Sequence, residues 1–281
     1  MRSDRYGGFR FSCMAAIITM IAAATSHADT DTGPSYSAAS IVNAATQTAE
    51  ALAPNTIATV YGTNLAFETY STSATAVGGS LPTSLGGVTV YVNNLTAPLF
   101  FVSPGQINFL IPYQFAPGPA SVSVARQGFA GPAVSIQLNA TSPGMFPLNG
   151  LALATHLNGT LVSAAAPANP GEIIVIFAVG LGRTSPDTTS GKIDSFPAPI
   201  VALPQFQVLL AGTAVPAANV LYAGLAPGFA GLYQINLVVP ADVPANPEIR
   251  LSAAGQISPP LIQLAAIQGI MSTPNQGYNG K

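Results

Sequence analysis

Apolar and polar residues alternate along this chain in short bursts. Val88-Thr-Val-Tyr-Val92 places three valines on one face and Thr89 and Tyr91 on the other, the period of two that marks a half-buried strand. Ala120-Ser-Val-Ser-Val-Ala125 alternates more cleanly still. Runs of the same kind predict strands over Ile57–Tyr61, Pro98–Val102, Ile107–Ile111 and Val134–Leu138. Further strands are predicted over Leu151–Leu157, Thr160–Ser163, Ile173–Ala178, Gln207–Leu210, Asn219–Ala223, Tyr233–Val238, Ile249–Ala253 and Leu261–Ala265. Pro112 and Pro240 each close a run, since proline cannot donate inside a sheet. Asn158-Gly159 lies between two apolar runs and predicts a type I′ hairpin, in which both turn residues take positive φ. Only Ala38–Ala51 and Ala164–Ala168 have helical character. Short strands bounded by turn signals predict β-sandwiches.

The pattern occurs twice. Ala53-Pro-Asn-Thr-Ile-Ala-Thr-Val-Tyr-Gly returns as Asn169-Pro-Gly-Glu-Ile-Ile-Val-Ile-Phe-Ala. Leu81-Pro82 returns as Leu203-Pro204, and Gln106-Ile-Asn-Phe-Leu-Ile-Pro112 as Gln234-Ile-Asn-Leu-Val-Val-Pro240. The offset drifts from 116 to 122 to 128 residues. A repeat this long is one small β domain, not a solenoid unit. The expected architecture is all-β, two immunoglobulin-like β-sandwich domains in tandem. Their expected spans are 40–143 and 144–268, with the boundary at Thr141-Ser-Pro-Gly144. A polar leader over 29–39 precedes them, and a flexible tail over 269–281 follows.

The first 28 residues have the layout of a secretory signal. Arg2, Arg5 and Arg10 precede an apolar stretch over Phe11–Thr25, and Ser26-His27-Ala28 supplies small residues where signal peptidase reads. The stretch is too short for a permanent span, which takes about 20 apolar residues. Removing Arg2, Arg5, Arg10 and Asp4 from totals of 8 basic and 10 acidic residues leaves five and nine, a net charge near −4. Cys13, the single cysteine, leaves with the signal, so no disulfide is expected. A charge-poor, weakly acidic surface offers no electrostatic attraction to nucleic acid or anionic lipid. With 49% hydrophobic residues and 52 glycines and prolines together, the chain is neither disordered nor helical. The picture is a secreted or surface-held β protein in the periplasm or outside the cell, with no stable membrane span.

Candidates for chemistry are few. His156 is the one histidine outside the signal, and no Gly-x-Ser-x-Gly elbow accompanies it. It reads as an exposed hairpin residue. No metal cage can be built from one histidine and no thiol. The acidic loop Asp187–Asp194 lacks the ligand pattern of an EF-hand and leaves calcium open. Gly180-Leu-Gly182 lacks the third glycine of a dinucleotide turn. The Gln106/Asn108 and Gln234/Asn236 pairs, repeated in both copies, suit a structural role on one strand face. No cofactor and no catalytic residue is expected. An ancillary hydrolase using the carboxylates of Glu172 and Asp187 is the alternative. For ligand binding, Tyr113 and Phe115 are the aromatic candidates, just past Pro112 in a loop. The irregular stretches Phe67–Ser80 and Thr184–Leu203, each before a Leu-Pro pair, are the loops expected to carry recognition.

A series of short motifs supports a family resemblance. Asn43-Ala, Ala53-Pro, Tyr61-Gly, Leu81-Pro, Gly87-Val-Thr-Val, Val102-Ser-Pro-Gly-Gln-Ile-Asn108, Pro143-Gly-Met-Phe146, Pro170-Gly171, Gly180-Leu-Gly182 and Tyr222-Ala-Gly-Leu-Ala-Pro-Gly228 occur in this order. Over roughly residues 40–267 the chain resembles the Solibacter uncharacterised C-terminal domain family. The resemblance implies extracytoplasmic modules, akin to IPT/TIG domains, and transfers no catalytic residue. The expected function is that of a secreted, non-catalytic structural or adhesive protein recognising a protein or glycan at the cell surface. Mass spectrometry of the exported protein is expected to find Asp29 at its N-terminus; an intact Met1 would refute the signal.

Overall fold

The computed structural model describes residues 32–72 and 79–269, so the signal segment and residues 270–281 of the tail lie outside it. In the first module the six predicted strands form within two residues of their expected bounds, and four short ones that the alternation does not predict, Ile41–Asn43, Tyr70–Ser71, Leu95–Thr96 and Phe129–Ala130, join them. They are β1 (Ile41–Asn43), β2 (Ile57–Tyr61), β3 (Tyr70–Ser71), β4 (Val88–Val92), β5 (Leu95–Thr96), β6 (Leu99–Val102), β7 (Gln106–Leu110), β8 (Gly118–Arg126), β9 (Phe129–Ala130) and β10 (Val134–Leu138). One sheet runs β1-β2-β7-β6-β3, the other β10-β8-β4-β5, and all pairs are antiparallel. Val88, Val90 and Val92 point inward while Thr89 and Tyr91 stay partly exposed. They meet Val60, Ile107 and Phe109 of the facing sheet in one buried cluster. Lettered in chain order, leaving out the short β3 and β9, the strands run A-B-E-D and G-F-C-C′, the immunoglobulin arrangement.

The second module repeats it. Its strands are β11 (Gly144–Met145), β12 (Pro147–Leu148), β13 (Leu151–Ala152), β14 (Ala154–His156), β15 (Ile173–Val179), β16 (Ala198–Pro199), β17 (Gln207–Leu210), β18 (Thr213–Ala214), β19 (Val220–Leu225), β20 (Tyr233–Val238), β21 (Ile249–Ala253) and β22 (Gln256–Ile257). The order β11-β15-β20-β19-β16, with β14 beside β15, stacks on β18-β17-β21-β22 around Ile174, Ile176, Ile235, Leu237 and Leu251. Each module even carries a bulge at the same place, between Leu99 and Phe101 and between Val220 and Tyr222. The Gln-Ile-Asn pairs bond to themselves, Gln106 Nε2 to Asn108 Oδ1 at 2.9 Å and Gln234 Nε2 to Asn236 Oδ1 at 3.2 Å.

Several local expectations give way to stronger constraints. The Ala38–Ala51 stretch holds one 3-10 turn, Ala38–Ser40, because Ile41 and Val42 are claimed by the sheet. Ala164–Ala168 is no helix; Pro167 interrupts it and a turn closes from Ala166 N to Ser163 O. At Asn158-Gly159 only Gly159 has positive φ, and His156 N reaches Thr160 O, so the loop has three residues instead of a type I′ pair. The runs Thr160–Ser163 and Leu261–Ala265 ladder only through single bridges. The described end of the leader, from Thr32, belongs to the first sandwich. Ser35 bridges Thr63, and the Tyr36 hydroxyl accepts from Val124 N and donates to Pro132 O.

The modules are joined by a buried seam. Ile57, Phe100 and Leu110 on the outer face of the first module's β2-β7-β6 surface cluster with Val179, Ile193 and Ala230 of the second. Gly231 comes so close that a Cβ there would lie 2.3 Å from Leu110 Cδ1. The loop Thr184–Leu203, expected to carry recognition, is drawn into this contact. Ser80 bridges Lys192, Leu81 N donates to Gly191 O, and Ile193 N donates to Gly79 O. The connecting segment is fixed from both sides, Asn43 Nδ2 donating to Ser142 O and Thr141 Oγ1 to Ala253 O. Gly231→Ala is expected to lower stability by about 1–3 kcal/mol. Gly212→Ala shares the positive φ but meets nothing within 4 Å, so it isolates backbone strain. In thermal unfolding, Gly231→Ala melting no lower than Gly212→Ala would mean a loose seam.

Candidate functional site

The second module's long loop is consumed by the seam, and so are Gly79 and Ser80 at the end of the first module's; Phe67 and Tyr70 near its start are not, and its residues 73–78 lie outside the described ones. At the free end of the first sandwich, Phe67 and Tyr70 remain 48% and 41% exposed. Their positions are set by the backbone around them. Leu65 and Ala66 are buried in the core and anchor the chain just before Phe67. Tyr70 pairs with Val102 as the edge of the β1-β2-β7-β6-β3 sheet. Its ring lies against Gly86, where a Cβ would stand 2.2 Å from Tyr70 Cδ2. Gly86 therefore serves as a flat bed for the ring, a role its positive φ of 58° also reserves for glycine. One face of Tyr70 rests on backbone and the rest looks outward.

Polar groups surround the two rings. Tyr70 Oη donates to Glu68 Oε2 at 2.9 Å, and this bond raises the phenol above its ordinary pKa and keeps it protonated. Gln127 stands across Gly87 on the turn between β8 and β9, exposed. Phe67, Glu68, Tyr70, Gly86 and Gln127 line a shallow groove of about 410 Å³. Beneath Phe67 lies the guanidinium of Arg126, 4.0 Å from the ring centroid and 5.6 Å from that of Phe129. Arg126 is buried and donates to Thr32 O at 2.8 Å. The stack holds Phe67 from below by cation–π attraction.

The residues singled out from sequence lie elsewhere. Tyr113 is half-buried at the seam, its N–H bonded to Ser190 Oγ, and Phe115 is half-buried against the first core. Gly180-Leu-Gly182 leads out of β15 into loop, with no helix following. Asp187 pairs with Arg183 and Asp194 with Lys192, and no cluster of metal-ligating residues occurs among the described residues. Glu172 and Asp187 stand beyond opposite ends of β15, whose seven residues span about 23 Å at 3.3 Å per residue. That separation exceeds the roughly 5–9.5 Å of a glycosidase carboxylate pair.

His156 is not the exposed residue expected. Its side chain is 14% exposed, with Nδ1 at 2.5 Å from Glu172 Oε1 and Nε2 at 3.1 Å from Ala166 O. Both ring nitrogens face acceptors, a geometry that suits the doubly protonated ring. The Glu172 bond raises the His156 pKa. Burial pushes Glu172 up, but bonds from Asn169 N and His156 outweigh it and hold the carboxyl below its ordinary value. The pairing joins residues sixteen apart across two strands, which no local motif announces.

No family model and no curated protein matches the chain. Among solved structures it is similar to a surface glycan-binding protein of Prevotella bryantii, at 10% identity and a TM-score of 0.27 over 75% of this chain and 37% of that one. It is also similar to the Bacteroides ovatus surface glycan-binding protein of a mixed-linkage glucan utilization locus, solved with a heptasaccharide, at 12% identity and a TM-score of 0.32 over 78% and 44%. Tandem immunoglobulin repeats of Dlar match at 13% identity and a TM-score of 0.19 over 64% and 81%. The chain thus spans less than half the length of the two glycan-binding proteins. Likenesses this faint say nothing of what the present chain binds.

The His156–Glu172 pair carries a pH signature. A raised histidine stabilises the fold fully below its unfolded value of 6.5 and loses the effect as pH rises through the folded one. A lowered glutamate stabilises above 4.5 and loses the effect as pH falls through its folded value. The full contribution therefore lies between pH 4.5 and 6.5. His156→Gln is expected to cost about 0.2–1 kcal/mol there, at most ~4 °C in melting temperature, and much less at alkaline pH. A deficit that does not vary with pH would refute the ion pair.

Proposed function

We propose that this chain is an extracytoplasmic, non-catalytic recognition protein that holds a carbohydrate in the groove of its first module. The observation that carries the reading is the pair of solvent-facing rings, Phe67 and Tyr70, flanked by Glu68 and Gln127. A sugar ring has an apolar C–H face rimmed by hydroxyls. Aromatic faces receive the first, and a carboxylate and an amide receive the second. The groove is shallow, which suits a polymer lying across the head of a rigid sandwich better than a small molecule that must be engulfed.

Two further observations agree with a non-catalytic role. The histidine is committed to Glu172 and Ala166 O. The candidate carboxylates are separated by a strand. Export rests on the N-terminal pattern, and no helix among the described residues is long and apolar enough to cross a membrane.

The test is retention on a panel of soluble polysaccharides by affinity electrophoresis, followed by calorimetry on the best binder. Phe67→Ala and Tyr70→Ala are each expected to weaken binding roughly tenfold or more, as aromatic anchors do. Tyr113→Ala is expected to leave it unchanged. With circular dichroism confirming the fold, undiminished binding by both groove variants would overturn the site.

A further inference from the structure

The internal repeat assigns a second surface. In the first module, Ala44, Ile57, Leu110 and Phe100 form a row across the outer face of the sheet, and the second module covers it. Strand registers give the counterpart of each residue. Asn43 faces Ala58 and His156 faces Ile174, so Leu157 answers to Ala44. Ile57 faces Leu110 and Ile173 faces Val238. Phe100 and Leu221 are the extra residues of the matching bulges. The second module thus carries Leu157, Ile173, Val238 and Leu221, apolar at all four places.

The two rows differ in what covers them. Phe100, Ile57 and Leu110 are 4%, 5% and 1% exposed. Leu221 and Leu157 are 54% and 59% exposed, and Ile173 and Val238 are only half-buried. The row runs from the turn just past β14 across the neighbouring strands β15, β20 and β19. At about 4.8 Å per strand it is roughly 14 Å wide. No charged side chain belongs to it, and the ionisable residues next to Leu157 and Ile173 in the chain, His156 and Glu172, are paired to each other.

We propose that this row is a docking face for a second copy of the chain, packed about a two-fold axis that crosses the row between Ile173 and Val238. Its counterpart in the first module shows that these positions serve as a packing surface for another sandwich of the same fold. The axis sets Leu157 against Leu221 of the second copy and Ile173 against its Val238. Apolar residue then meets apolar residue at all four places, as the contact of one patch with its own copy in an isologous pair requires. A neutral face meets its own copy without like-charge repulsion. The inference is independent of the carbohydrate groove, which lies on the other module.

Cysteine cross-linking tests the axis, in a chain whose single cysteine, Cys13, is replaced by serine. Mixing a Leu157→Cys protein with a Leu221→Cys protein is expected to give a disulfide-linked pair under mild oxidation, while either protein alone gives little. Analytical ultracentrifugation of the parent is expected to show a dimer at micromolar concentrations. Leu157→Lys with Leu221→Lys would raise its dissociation constant at least tenfold, since burying unpaired charge is unfavourable. Leu261→Lys, at a residue 87% exposed outside the row, would not. Circular dichroism and polysaccharide binding serve as fold controls. A parent that sediments as a monomer, or a double-lysine variant that dimerises as well as the parent, overturns the proposal. So does cross-linking of Leu157→Cys protein to itself in preference to the mixed pair.

Discussion

The architecture turns on one buried contact, the meeting of Ile57, Phe100 and Leu110 with Val179, Ile193 and Ala230. An immunoglobulin sandwich normally buries the inner faces of its sheets and leaves the outer ones to water. Here the outer face of the first module is apolar as well. Covering a large apolar side chain stabilises by about 1.5–3 kcal/mol, so three of them make a firm junction. The cover is specific. Ala226-Pro227-Gly228 matches Ser103-Pro104-Gly105, but the second module then inserts Phe229-Ala-Gly-Leu-Tyr233 before resuming at Gln234-Ile-Asn236. That insertion supplies the small residues that let two backbones approach.

The junction explains why two homologous modules have diverged in their loops. In the second module the stretch after β15 runs back along Gly79–Leu81 and is held there by backbone bonds. It has become part of the seam. In the first module the matching end faces outward, and it carries the rings. Arg126, which holds Phe67 from beneath, has no basic counterpart at Ala253 and Ala254 of the second module. The aromatic platform is therefore a property of one module, at the end that tandem packing leaves free.

Much of the fold was legible in the sequence because alternation and turn residues act locally. Val88–Val92, Val134–Leu138, Tyr233–Val238 and Ile249–Ala253 form as strands over the predicted residues. The misses share a cause. Ala38–Ala51 has helical composition, yet Ile41 and Val42 complete the core and the sheet takes them. The fate of Thr184–Leu203 depended on a surface contributed by residues a hundred positions away. The site divides the same way. The stretch Phe67–Ser80 stood out in the sequence by its length and its lack of apolar periodicity, and its Phe67 and Tyr70 are exposed. The separate choice of Tyr113 and Phe115 as aromatic candidates rested on their place after Pro112, while Phe67 and Tyr70 need Gly86 and Arg126 beside them before they read as a platform. His156 found its partner only through the pairing of β14 with β15.

Stiffness links the two proposed surfaces. The groove sits on the first module, and the Leu157–Leu221 row lies on the far module of the same rigid tandem. A seam closed by side-chain packing and by backbone bonds fixes the distance between them. In a pair joined through those rows, each copy would carry its groove away from the axis, at a spacing that does not fluctuate as a flexible linker would allow. Two grooves at fixed separation gain avidity only for a ligand that offers sites at that separation. A repeating polymer does so at many registers, whereas an isolated oligosaccharide does not. The rigidity that begins with Gly231 against Leu110 would then bear on selectivity, favouring extended chains over short fragments without any new contact in the groove itself.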